Sequence, residues 1–165
     1  MSIEYRVGNL LEEKDISVIL HQANLFCTFG SGIARAIKDK YPEAYEADCK
    51  TVKGDSDKLG GYSSARTKDG KTIVNCYSQT GMGASDRNTS YNDIFVIFKK
   101  IEELVRDTNN KGGKQHVVGI PYKYGSGLAG GSFRIVNSII KEVFKNSPVK
   151  CVVVRLASEP EIDLD

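Results

Sequence analysis

Ile16-Ser17-Val18-Ile19-Leu20-His21-Gln22, followed by Ala23-Asn24 and then by Gly30-Ser31-Gly32-Ile33-Ala34, is the stretch that decides the fold. Its first seven residues form a short apolar run bounded by breakers, which reads as a strand rather than a helix. The glycine-bearing segment opens a helix predicted from about Ser31 to Lys40, which ends near Pro42, where a shorter helix holding Ala44, Tyr45 and Cys49 begins. A strand that passes through a glycine loop into a helix is the unit from which α/β layers are built.

The same alternation continues along the chain. Thr72 to Tyr77, His116 to Ile120 and Lys150 to Leu156 are further short apolar runs that belong in the interior of a sheet, while Ile3 to Val7 and Tyr62 to Thr67 suit edge or antiparallel positions. Ile94, Ile97, Phe98, Ile101, Leu104 and Val105 recur at helical spacing with charges between them. Phe133, Val136, Ile139, Ile140, Val143 and Phe144 do so again, with Ser132 where an N-cap belongs. Asp107 to Lys114 reads as a polar loop, and no linker or repeat divides the chain, so residues 1–165 are expected to form one domain with a sheet of about six strands between helices.

Composition narrows the function classes. With 23 Lys plus Arg against 21 Asp plus Glu, the net charge of +2 excludes a strongly basic nucleic-acid scaffold. No apolar run approaches the roughly 18 residues of a membrane span, and the first residues carry neither a basic nor an apolar leader segment, so the expected setting is the cytoplasm, with no membrane partner. That setting disfavours disulfides. Cys27, Cys49, Cys76 and Cys151 form no C-x-x-C pair and His21 lies far from His116, so neither a metal nor a cofactor is called for. Cys76 and Cys151, inside strand-like runs, read as small buried hydrophobes.

Chemistry can reside in three segments. Gly30-Ser31-Gly32-Ile33-Ala34 lets backbone approach a ligand and offers the amides of a helix start, which suit phosphate. Pro121-Tyr122-Lys123-Tyr124-Gly125-Ser126-Gly127-Leu128-Ala129-Gly130-Gly131 follows another strand and precedes another helix. Either segment alone is no more than a tight turn, but two at the carboxyl ends of strands stand where open α/β sheets bind ligands, with room for a diphosphate between them. Neither has the Lys-Ser/Thr ending of a P-loop, and no G-x-G-x-x-G follows the first strand. The third segment is His21-Gln22-Ala23-Asn24. An uncharged Asn24 just past a strand can orient a sugar hydroxyl or a water without placing charge beside a phosphate.

Taken together these residues resemble a macro domain, the ADP-ribose-binding module. The resemblance runs over essentially the whole chain: Gly8-Asn9-Leu10, His21 through Asn24, Gly30 through Ala34, and Ile120-Pro121 through Gly125-Ser126-Gly127-Leu128. It is nearest to the branch containing yeast ADP-ribose 1″-phosphate phosphatase and human terminal ADP-ribose glycohydrolase. The resemblance implies a three-layer α/β/α fold with a mixed sheet, and ADP-ribose in a cleft at strand ends. Asn9 stands where the family has an aspartate that accepts from the adenine amino group, with Gly8 and Leu10 beside it. Gly30, Ser31, Gly32, Ile33 and Ala34 would border the diphosphate and distal ribose. Tyr124, Gly125, Ser126, Gly127 and Leu128 would wrap the diphosphate behind Pro121, and Asn24 would hold the distal ribose.

The implied ligand is ADP-ribose or ADP-ribose 1″-phosphate, taken up by a monomer. Hydrolysis of the terminal phosphate is the leading expectation, with Asn24 placing a water or the ribose and His21 as general acid or base. Removal of ADP-ribose from ADP-ribosylated macromolecules and plain ADP-ribose reading are the alternatives. Glycohydrolases of the branch carry a catalytic Asp where this chain has Ala129, so the resemblance does not extend to their covalent Lys and Asp route. Strand parity sets a condition on His21. Residues 21 and 24 point to opposite faces of an extended chain, so His21 reaches the cleft only if the strand has broken by Ala23.

Overall fold

The structure is a computed structural model that describes residues 2–81 and 87–164. Six strands, β1 (Ile3–Val7), β2 (Val18–Ala23), β3 (Tyr62–Arg66), β4 (Thr72–Tyr77), β5 (Val118–Pro121) and β6 (Cys151–Arg155), form one sheet in the order β1-β6-β5-β2-β4-β3. All neighbours are parallel except β3, which runs antiparallel to β4. The weakly apolar segments at Ile3 and Tyr62 thus become the two edges, as their composition requires.

Helices α1 (Gly32–Lys40) and α2 (Pro42–Cys49) cover one face, and α3 (Tyr91–Asn110) and α4 (Phe133–Phe144) the other. The pleat of β2 supplies both interiors: Val18 and Leu20 pack with Ile94, Ile97 and Phe98 of α3 and Val136 and Ile140 of α4, whereas Ile19 packs with Leu10, Ile37 and Ala44. Burying each of these large side chains contributes about 1.5–3 kcal/mol. This is the α/β/α architecture with a mixed sheet.

Topology places the site. β2 leads into α1 on one face and β5 into α4 on the other, so their loops diverge above the boundary where β2 and β5 are neighbours. The two strands pair over Val18 with Val118 and Ile19 with Gly119. Gly119 has a steric reason: a Cβ there would lie 2.6 Å from Ile16 Cγ2 and 2.7 Å from Leu10 Cδ1. The absent side chain lets Leu10 lie against the sheet.

Two expectations are revised. Helix α3 runs to Asn110, through the first part of the segment read as a loop, because Asn109 is an anchor. Its Oδ1 accepts the His116 N–H at 2.9 Å and its Nδ2 donates to the His116 carbonyl at 3.2 Å. Ser132 takes the N-cap position of α4 as expected, with no cap bond from its hydroxyl and with its N–H donating to the Tyr91 hydroxyl at 2.8 Å. The expectation against disulfides fails for Cys27 and Cys49, which are joined with Cα atoms 5.3 Å apart, a normal span. The end of α2 returns against the loop after β2, a proximity that sequence spacing does not announce. Cys76 and Cys151 are free and buried.

No helix among the described residues is long and apolar enough to cross a membrane.

Candidate functional site

A cleft of about 1180 Å³ opens at the carboxyl ends of the parallel strands. One wall is the β2–α1 loop with Asn24, Thr28 and Gly30 through Ala34. The other is the β5–α4 loop with Pro121 through Gly125 and Gly127 through Ala129. Gly8, Asn9 and Leu10 close one end beside Val154 and Leu156 from the end of β6.

The walls present backbone N–H groups. Ser31 precedes α1 in extended conformation and makes no side-chain cap bond, so the amides of the first turn keep their donors, as every helix start must unless capped. Across the cleft the loop turns sharply: Lys123 has φ of 67° and Gly125 of 74°. The N–H groups of Gly125, Gly127 and Leu128 donate to no backbone carbonyl among the described residues, whereas those of Tyr124, Ser126, Gly130 and Gly131 do. Gly127 stands with nothing within 4 Å of where a Cβ would be. Two sets of unspent donors on residues that line one cleft suit an anion held between them.

Asn24 lines the cleft and is tied to its own loop. Its Nδ2 donates to Thr28 Oγ1 at 2.6 Å and its Oδ1 accepts the Phe26 N–H at 2.8 Å, an Asx turn that shapes the wall. Asn9 has a similar local task, accepting the Leu11 N–H at 3.1 Å. Ser126 is the one residue of the second loop's predicted set that does not line the cleft. Its hydroxyl donates to the Lys123 carbonyl at 2.7 Å and closes the turn from behind. The Tyr124 hydroxyl pairs with Ser78 at 2.8 Å, and burial drives its pKa well above the ordinary tyrosine value, so Tyr124 meets the cleft without offering its phenol as an acid or base.

His21 is elsewhere. β2 stays extended through Ala23, the condition under which parity turns His21 away, and the side chain is fully buried on the α1/α2 face, outside the cleft lining. Its ring stands edge-on to Phe29 with centroids 5.1 Å apart. Asn75 donates its Nδ2 to the Ala44 carbonyl and to Ser63 Oγ, so its Oδ1 must accept, and His21 carries its proton on Nε2 at 2.7 Å. His21 Nδ1 is buried without a partner among the described residues. Burial lowers the pKa to about 4, against the opposing Asn75 bond, so the ring is neutral at pH 7. The expected acid or base is therefore replaced by a sealed structural imidazole.

Sequence reasoning missed Gln22, Gln79, Leu156 and Glu159, all of which line the cleft. Gln22 and Gln79 follow from the rule that strand ends face the ligand, had it been applied to parity in β2 and to the residues after β4. Leu156 and Glu159 follow β6 in the same way. Ionic groups at the rim are Asp39, Lys40, Glu12, Lys123 and Glu159; Lys40 is paired with Glu12 at 2.7 Å, while Lys123 has no ion-pair partner among the described residues. No group of three His, Cys, Asp or Glu among the described residues could hold a metal ion.

Neither a family model nor a curated protein matches the chain. Solved structures do. The architecture, with its cleft at the strand ends, is the macrodomain fold. A Bacteroides thetaiotaomicron protein of unknown function superimposes with a TM-score of 0.80 at 22% identity, over 94% of this chain and 99% of that one. The macrodomain of Mycobacterium tuberculosis DarG does so at 0.72 and 22% identity, over 92% and 96%. Thermosipho africanus DarTG in complex with ADP-ribose matches at 0.72 and 15% identity, over 97% of this chain and 43% of that one.

Proposed function

We propose that this protein binds ADP-ribose, as a member of the macro domain family, with the diphosphate between the Gly30–Ala34 and Gly125–Leu128 loops. The observation that carries the reading is the pair of unspent amide sets on residues that line one cleft. Amides hold a diphosphate without a metal, and the apolar end formed by Leu10, Val154 and Leu156 suits a nucleobase. The complex of the Thermosipho africanus protein with ADP-ribose supports the same ligand class.

Hydrolysis of ADP-ribose 1″-phosphate is the catalytic form of this proposal. A water attacks the terminal phosphorus in line, the bond from phosphorus to the ribose oxygen breaks, and that oxygen takes a proton from solvent. With His21 sealed, rate acceleration comes from positioning by loop amides and Asn24 rather than from a side-chain base. The same burial favours a second reading, a module that reads ADP-ribose without turnover. Removal of ADP-ribose from macromolecules finds only the Ala129 methyl at the loop position where the resembling glycohydrolases carry their acid.

Calorimetry with ADP-ribose and ADP, beside phosphate release from ADP-ribose 1″-phosphate, tests these readings. ADP-ribose is expected at micromolar affinity, about −7 to −9 kcal/mol, with ADP weaker. Equal affinities reject the orientation that puts the distal ribose near Asn24. Binding without phosphate release selects the reader.

A further inference from the structure

Resting on the diphosphate-binding reading, we infer that Thr89 is a positioning residue for the ligand: its hydroxyl sets the Gly125 peptide and thereby aims the amides of the second loop. With Lys123 and Gly125 both at positive φ, the loop is not in a conformation the chain adopts by itself, and a non-glycine residue there costs about 1–2 kcal/mol. Something outside must hold it.

Residues just before α3 do so. The Gly125 carbonyl accepts from Thr89 Oγ1 at 2.5 Å and from the Gly131 N–H at 2.9 Å. The Ala129 carbonyl accepts from the Asn88 N–H at 2.7 Å and the Thr89 N–H at 3.2 Å. One two-residue segment thus grips the loop at both ends. Thr89 is 2% exposed, so water does not compete for these bonds.

Proton direction gives the hydroxyl its role. A threonine hydroxyl has one proton to give. Gln22 Nε2 donates to Thr89 Oγ1 at 3.0 Å, and the Gln22 Oε1 accepts from Ser78 at 2.9 Å, so the Thr89 proton is left for the Gly125 carbonyl. The chain of bonds runs from β2, the strand behind one wall, to the peptide that shapes the other. Gly131 presses on the same atom: a Cβ there would lie 2.5 Å from the Gly125 oxygen. Removing the hydroxyl and adding that methyl therefore disturb one carbonyl from two sides, and the methyl would also lie 3.0 Å from Thr89 Cβ and Cγ2, so both changes fall on the same contact.

The test measures ADP-ribose and ADP affinity and melting temperature for wild type, Thr89→Val, Thr89→Ser, Gly131→Ala and the Thr89→Val/Gly131→Ala double variant. Thr89→Val and Gly131→Ala should each weaken both ligands at least tenfold and by the same factor for each ligand. Thr89→Ser should restore affinity to within about threefold, and the double variant should be no weaker than the worse single, as expected for changes that fall on one contact between Thr89, Gly125 and Gly131. Wild-type affinity in Thr89→Val, equal losses in Val and Ser, or losses that multiply would overturn the inference. If Thr89→Val does not fold, unchanged binding by Gly131→Ala overturns it alone. A wild-type protein that binds neither ligand removes the diphosphate reading itself, and this inference with it.

Discussion

His21 and Gln22 are consecutive in β2 and face opposite sides of it: His21 is sealed between Asn75 and Phe29, while Gln22 lines the cleft and bonds Thr89 and Ser78. The same division holds for the surroundings. Behind His21 lies a closed polar chain in which Asn75 reaches Ser63, Ser63 meets the Tyr77 hydroxyl at 2.7 Å, and that hydroxyl donates to Asp48 at 2.6 Å. Around Gln22 the bonds lead to a loop that forms one wall of the cleft. Membership of the cleft follows the pleat, not nearness in sequence, and it separates a residue sealed in the core from one that lines the cleft.

The sharpest test of that separation is acid. His21 has its pKa lowered by burial from 6.5 to about 4, so the unfolded chain binds the proton first. Its contribution is present above pH 6.5 and is lost as pH falls toward 4, about 3 kcal/mol across the window. Asp48, whose pKa burial raises, acts in the opposite direction and is common to wild type and variant. Urea denaturation at several pH values should show a steeper acid loss in wild type than in His21→Gln, with ADP-ribose binding of the folded variant near wild type. A His21→Gln protein that folds and loses binding instead would put the imidazole back in the site.

The disulfide joins the two sides, because Cys27 lies in the β2–α1 loop next to Thr28, which lines the cleft, and Cys49 ends α2. Reduction should lower stability by about 3 kcal/mol, the chain-entropy scale for a closed loop of this size. ADP-ribose binding should weaken as well, since the Asn24–Ser31 wall loses its tether. Unchanged denaturation with and without a reducing thiol would show that the two cysteines do not constrain the fold.

Gly127→Val has the smallest expected effect and acts on the cleft alone. Its position has open space for a Cβ and no positive φ, so the melting temperature should hold while ADP-ribose affinity falls more than tenfold, a loss above about 1.4 kcal/mol. Full affinity in the folded variant would reduce the loop to a turn.

Much of this was legible in the chain. The strands at Val18, Thr72, Val118 and Cys151 are short apolar runs, and the helices at Tyr91 and Phe133 carry apolar residues at helical spacing. The two glycine loops were found because φ above zero and close backbone approach leave a mark in composition, and nearly all of the predicted lining residues do line the cleft. Parity even stated the condition on which His21 would miss it.

What the sequence determined by itself is thus local: periodicity sets strands and helices, breakers set loops, and strand ends set the side on which a ligand enters. Tertiary structure alone decided that Thr89 would meet Gly125 and that Cys27 would meet Cys49. Those contacts join residues from separate elements, and their partners are chosen by how the layers pack, which no local pattern encodes.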